Sequence, residues 1–240
     1  MQTMPSLRGV NQLPLFDVVL SGAPAFEAHA FSKPARTYTG DFYLTHEDRD
    51  RLWFVLGDVA GKGINAAVIM AMIQEELEHR ITSCATTKCD PSVTMLRLHE
   101  YILPLMPRNR FATIVIGTLR EDGLLTIANA GHCPPLVVHN GAIEQIESTG
   151  PVAGMLRRSG WQSVTRQLEP GDALLLFSDG LLEAHSPDGE ELGVDRIACA
   201  FTRAANRSPR EIVDAVLADA ADHAFDDDVT VMAIRRLSVS

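Results

Sequence analysis

A single β-rich domain of the α+β class is what this sequence predicts, on three observations. Short apolar runs bounded by turn residues recur from residue 13 to 234, the pattern of strands. Longer segments with helical spacing occur in two pairs, 64–79 with 91–106 and 196–205 with 209–223. No internal repeat, low-complexity tract or composition shift divides the 240 residues, a length that one β-rich domain can fill. A hydrophobic content of 46% is enough for a sizeable core.

Charge narrows the partners. The formal net charge is −10 and the pI about 5.2, which argues against nucleic acid or an anionic membrane. No apolar run reaches the roughly 18 residues of a membrane span, and residues 1–11 lack a signal-peptide core. Cys84, Cys89, Cys133 and Cys199 have neither zinc spacing nor the density of a disulfide framework. A reduced, cytoplasmic protein is expected.

In chain order, residues 1–12 read as an extension or linker remnant, and the domain as 13–237. Strand patterns at 13–20 and 25–31 flank Ser21-Gly22-Ala23-Pro24. Asp41 then sits inside an aromatic strand pattern, where a charge is costly unless paired or bound to a metal. The run 52–56 returns antiparallel, so that Asp41 and Asp58 can meet. Gly61-Lys62-Gly63 turns the chain into the first helix. This is no P-loop: Gly57 and Gly61 are one residue too close, and Gly63 has no hydroxyl. Pro91 opens the second helix.

Strands follow at 111–119 and 124–130, and Asn140-Gly141 marks a hairpin between 136–138 and 143–146. Residues 164–168 and 173–177 read as a further hairpin turning at Pro170-Gly171-Asp172. The run 174–177 ends at Ser178-Asp179-Gly180, repeating the order of buried strand, carboxylate and glycine seen at Asp58. After a turn-rich excursion and the second helix pair, Asp226-Asp227-Asp228 precedes the final strand.

Each aspartate has a plainer reading. Asp58 or Asp179 could cap the helix that follows, and the acidic run could be a solvated loop. Four such sites in one β-rich chain nevertheless share an explanation, since clustered carboxylates repel unless a cation neutralises them. All-oxygen ligands suit magnesium or manganese rather than zinc. Two such ions can activate water and clamp a phosphoryl group.

The ordered set GDVAGKG, FATIVIGTL…NAGHCPPLVV, LLLFSDGLLEA and DDVTV resembles bacterial serine phosphatases of the metal-dependent PPM (PP2C-like) family, in the sporulation and sigma-factor regulatory branch. The resemblance implies a four-layer α-β-β-α sandwich of two antiparallel sheets flanked by helices. It also implies two Mn²⁺ or Mg²⁺ ions. Asp58 would bridge both, the Val59 carbonyl would bind one, Asp179 and Asp227 would complete the site, and Asp41 would be a nearby or water-mediated ligand. Asp58, Asp179 and Asp227 are thus the residues expected to carry catalysis. Asp227 is preferred to Asp228 because the family's ligand lies three residues before the threonine, here Thr230. Asn129 reads as a structural hydrogen-bonder, and His132-Cys133 as loop rather than ligands. The family's usual Gly-Gly-Asp is Thr39-Gly40-Asp41 here, which touches only the edge of the site.

The implied activity is hydrolysis of phosphoserine or phosphothreonine in a protein, by resemblance an anti-sigma-factor antagonist, by direct attack of metal-activated water. A homodimer or an upstream sensory domain would fit the same family. A binding-only module with a vestigial phosphatase fold is the rival reading, and retention of Asp58, Asp179 and Asp227 speaks against it. A nucleotide phosphohydrolase would want a basic or aromatic base pocket, and no such cluster is visible.

Overall fold

The computed structural model describes residues 17–18, 25–35, 37–48, 51–61, 63–83, 89–139 and 141–237. The extension expected over 1–12, most of the strand expected over 13–20, Cys84 and Asn140 lie outside them. The elements run β1 (Asp17–Val18), β2 (Phe26–Lys33), β3 (Asp41–Asp48), β4 (Arg51–Val59), α1 (Ile64–Thr82), α2 (Pro91–Ile102), β5 (Ala112–Arg120) and β6 (Leu124–Ala130). There follow β7 (Leu136–His139), β8 (Ala142–Gln145), β9 (Val164–Gln167), β10 (Ala173–Phe177), α3 (Asp179–Leu182), α4 (Gly193–Ala204), α5 (Pro209–Asp219) and β11 (Val229–Arg236).

All pairings between these strands are antiparallel, in sheets ordered β1-β2-β11-β10-β7-β8 and β3-β4-β5-β6-β9. The two sheets bury Phe54, Leu56, Val115, Leu174, Leu176 and Met232 between them. Helices α1 and α2 cover the outer face of the five-stranded sheet over Trp53, Val55, Ile114 and Ile116. Helices α4 and α5 cover the other sheet over Leu175, Phe177, Val231 and Ala233. The result is the expected four-layer sandwich. Successive side chains of a strand point to opposite faces, and here both faces are buried, so β10 reads as an unbroken apolar run. Each large side chain so buried contributes roughly 1.5–3 kcal/mol.

Local chemistry sets the helix starts. Asp90 caps α2 by accepting from the Ser92 amide at 2.8 Å, with Pro91 in the first turn. A Ser208/Glu211 capping box opens α5. Three expectations need correction. Helix α2 stops at Ile102 rather than near Met106, because Pro104 has no amide to continue the ladder. Strands β9 and β10 form no hairpin: β9 pairs with β6 and β10 with β11 and β7, so the 170–172 turn crosses between sheets. Cys133 and Cys199 are free thiols, but Cys89 is disulfide-bonded, so the cysteines are not all reduced.

The inter-sheet core is tight where Phe54 lies opposite Gly117 in the β4–β5 register. A Cβ at Gly117 would stand 2.1 Å from the Phe54 ring. Gly117→Ala should therefore destabilise the protein by about 1–3 kcal/mol in urea denaturation, and adding Phe54→Leu should recover part of that loss. An unchanged midpoint for the single variant would show that the ring has room to move.

Candidate active site

Asp58 occupies the penultimate position of β4, with Asp41 of β3 on one side in register and Thr113 of β5 on the other. It does not cap α1. The cap position is Gly63, which makes no side-chain cap bond to the first turn. Reversal into α1 relies on Gly61 (φ +123°) and Gly63 (φ +87°), a backbone region that side chains rarely adopt. Arg110 lies over this turn and donates to the Ala60 carbonyl at 3.1 Å.

The other sheet supplies Asp179 and Asp227. Strand β10 ends at Phe177, and Asp179 begins the single turn of α3. A Cβ at Gly180 would stand 2.1 Å from the Asp228 carbonyl oxygen, so only glycine lets residues 227–228 pass this close to Asp179. The Ser178 amide donates to the Thr230 carbonyl at 2.9 Å, and the Thr230 amide donates to Ser178 Oγ at 2.9 Å. Ser178 Oγ donates in turn to the Asp228 carbonyl at 3.1 Å.

Two side chains of the β11 segment then reach across to β3. Asp228 accepts from the amides of Ala35 (2.7 Å) and Gly40 (3.0 Å). Thr230 Oγ1 donates to Asp41 Oδ2 at 2.7 Å. Asp228 is buried and engaged as a clasp, whereas Asp227 is exposed beside it. These contacts favour Asp227 as the outward donor.

Burial, followed by the charges of Asp179, Asp227 and Asp228, pushes the Asp58 carboxyl up to about 7. Burial and the neighbouring Asp58 hold Asp41 well above the usual carboxylate range, against the opposing hydroxyls of Thr230 and Ser178. Asp179 is raised by burial, then by Glu183 and Asp227. Asp41, Asp58, Asp179 and Asp227 thus form one coupled group of like charges at the meeting of the two sheets. Among the described residues no three side chains of His, Cys, Asp or Glu converge as a closed coordination shell.

The donor set fits a hard divalent cation. It is all oxygen, partly buried and short of positive charge. The missing side chain of Gly40 opens directly onto it: a Cβ there would lie 2.6 Å from Asp58 Oδ1 and 2.9 Å from the Val59 carbonyl. That small residue leaves both oxygens accessible from one side.

His132 and Cys133 behave as loop and core. Burial pushes His132 down to about 4, and its Nδ1 lies 2.9 Å from Thr113 Oγ1. Burial, then Asp179 and Asp41, push the Cys133 thiol up to about 12, leaving no thiolate for a metal or a nucleophilic step. Asn129 is structural: its Oδ1 accepts from the His132 amide at 2.8 Å and its Nδ2 donates to the His132 carbonyl at 3.2 Å. Sequence reading passed over Gly40, Ser178, Gly180, Asp228 and Thr230 as working parts. The available signal was their polarity or smallness within otherwise apolar strand ends.

A raised carboxylate makes the metal-free native state bind more protons than the unfolded chain between the ordinary Asp value and about 7. Stability of the chelated protein should therefore fall as pH rises through this window. Asp58→Asn should flatten the fall and raise the thermal midpoint at pH 8 but not at pH 4. Parallel midpoint-versus-pH curves for both proteins would refute the coupling.

Comparison with known proteins shows what the chain is similar to. The chain is 28% identical over 222 residues to phosphoserine phosphatase RsbU of Bacillus subtilis, covering 88% of this chain and 64% of the relative. It is 29% identical over 271 residues to protein IcfG of Synechocystis sp., covering 95% of this chain and 42% of that one. The chain therefore spans less than two thirds of the curated relatives it matches. Among solved structures, the RsbU and RsbW domains of a Mycobacterium tuberculosis protein superpose with TM-score 0.79 at 25% identity, over 90% of this chain and 63% of that one. The SiaA PP2C domain of Pseudomonas aeruginosa gives 0.75 at 21% identity, over 87% and 84%. The family model described as Stage II sporulation protein E (SpoIIE) matches residues 48–237, well over half of the sequence, and the chain belongs to that family.

Proposed function

We propose that this chain is a Mg²⁺- or Mn²⁺-dependent serine/threonine protein phosphatase of sigma-factor regulation. Its substrate in this reading is a phosphorylated anti-sigma-factor antagonist in the cytoplasm. The observation that carries the proposal is the coupled carboxylate group at the sheet junction, with Gly40 leaving Asp58 Oδ1 and the Val59 carbonyl open. Similarity to the phosphoserine phosphatase RsbU supports the reaction class, and the RsbW domain in a structural neighbour supports the pathway. No helix among the described residues is long and apolar enough to cross a membrane.

Asp58, Asp179, Asp227 and the Val59 carbonyl would hold two ions, with Asp41 behind Asp58. Bound ions of this kind supply a nucleophile from water at neutral pH and neutralise the phosphoryl oxygens. The protein's own part is to hold its carboxylates together and oriented, while a bound cation would favour their ionised forms against burial and mutual repulsion. Thr230 orients Asp41 by donating to it, and Gly180 lets the segment bearing Asp227 approach Asp179. Burial raises the Cys133 thiol, which disfavours a thiolate nucleophile there, and the reading is direct attack of water without a phospho-cysteine. The binding-only alternative is disfavoured because Asp41, Asp58, Asp179 and Asp227 are all present at the sheet junction, where burial and like charge raise Asp41, Asp58 and Asp179 and a mere scaffold would have no reason to keep them.

Phosphate release from phosphoserine proteins should cease with a chelator and return with Mn²⁺ or Mg²⁺. Asp58→Asn and Asp179→Asn should each lower turnover by more than about 100-fold, beyond what loss of a ligand's supporting contact costs. Substantial metal-free hydrolysis, or near-normal rates in Asp58→Asn, would refute the assignment. Gly40→Ala is a separate test. It should weaken Mn²⁺ binding by calorimetry at least about tenfold while the fold, followed by circular dichroism, persists. Unaltered affinity would remove Gly40 from the site.

A further inference from the structure

Past the end of α2 the chain forms a second recess. Residues 103–110 and 154–157 enclose about 700 Å³, lined in part by Met106, Met155 and Leu156 and by Arg108, Arg110 and Arg157. Its framework is built rather than fortuitous. Ala112 and Ala153 exchange both backbone hydrogen bonds at 2.9 Å. The Gly154 amide donates to the buried His99 Nδ1 at 3.0 Å. A Cβ at Gly154, whose φ is +79°, would stand 2.7 Å from Met106 Cγ, so the turn sits directly on the segment after α2.

Two features of this groove oppose the rest of the molecule. Met155 and Leu156 are 50% and 48% exposed side by side, an apolar patch at the surface. No acidic residue lines the groove, although the protein carries a net charge of −10. Arg108, Arg110 and Arg157 are exposed, and none is in an ion pair among the described residues. The groove also adjoins the chemistry. Arg110 lines it and bonds the carbonyl of Ala60, two residues beyond Asp58.

Such a site suits a short stretch of polypeptide with carboxylates and an apolar side chain. An extended polyanion such as a duplex or an anionic bilayer would meet the acidic remainder of the surface. We propose that this groove docks an acidic segment flanking the phosphoserine of the protein substrate. Its carboxylates would pair with Arg108 and Arg157, and an apolar side chain would rest on Met155 and Leu156. The proposal rests on the phosphatase reading above and adds what selects the substrate.

The test uses Arg108→Glu/Arg157→Glu, two exposed positions outside the catalytic group. Two labelled, unphosphorylated peptides are compared by fluorescence anisotropy at low and high salt. One carries glutamates around a leucine, and the other carries glutamines in their place. Phosphoserine peptides with the same flanks, and p-nitrophenyl phosphate, are assayed with Mn²⁺. The wild-type protein should bind the acidic peptide about tenfold more tightly than the amide one at low salt, and the double variant should lose that difference. For the variant, KM for the acidic phosphopeptide should rise about tenfold, with kcat and p-nitrophenyl phosphate hydrolysis unchanged. Equal binding of the two peptides by the wild-type protein, or retention of the preference in the variant, would overturn the docking surface. Selective binding without Mn²⁺-dependent hydrolysis of any substrate would instead overturn the phosphatase reading, and with it the groove's role in substrate selection.

Discussion

Repulsion among the carboxylates gathered at the sheet junction is the constraint on which the rest of this structure depends. Asp41 and Asp58 face each other across β3 and β4, while Asp179 and Asp227 come from the opposite sheet. Burial and mutual charge raise Asp58 to about 7 and hold Asp41 and Asp179 up as well. Left to themselves, such groups would separate or take up protons. They stay together because the backbone around them is over-determined. The Ser178–Thr230 exchange fixes β10 against β11, and the Asp228 clasp fixes the chain before β3. The six-stranded sheet is thereby tied to the five-stranded one at the point where their charges meet.

Placement at strand ends gives the site its coupling to the rest of the fold. Only Ala60 to Gly63 separate the Val59 carbonyl from the first turn of α1. That turn has no side-chain cap, and Ile64 and Val68 remain 59% and 53% exposed there. The distal half of the helix is held by Ile73, Leu77 and Ile81, all fully buried. Ala66 and Met70 are buried nearer the site, so α1 packs along its length and its site-proximal turns are the more exposed.

Charge is used locally rather than globally. An acidic protein would repel an acidic phosphoprotein, and bound divalent ions would invert the field at the carboxylates themselves. Beyond the reach of those ions, a compensating feature among the described residues next to the site is the arginine-lined groove between 103–110 and 154–157. It is assembled from two segments far apart in sequence that meet through His99, Gly154 and the Ala112–Ala153 bridge. The packing of α2 against the 153–154 turn therefore also shapes the surface beside the site.

Much of this was legible in the sequence because it is local. Strand and helix patterns, the Asn-Gly hairpin and the repeated order of apolar strand, aspartate and glycine all depend on neighbouring residues. They were enough to bring Asp58 opposite Asp41 and to mark Asp179 and the Asp226–Asp228 run, and the family resemblance chose Asp227 within that run. Partner choice was not local. The 170–172 turn has hairpin chemistry, yet it sends β10 into the other sheet because Leu175 and Phe177 bury against α4 and α5 while Leu174 and Leu176 fill the inter-sheet core. Nor could spacing reveal that Asp228 binds the Ala35 and Gly40 amides, that Thr230 orients Asp41, or that Gly40 and Gly180 are small to admit particular oxygens. Composition and pattern determined which carboxylates the protein has and which strands carry them. Only the stacking of the two sheets decided which carboxylate faces outward and which holds the chain, because that depends on contacts between residues almost 190 positions apart.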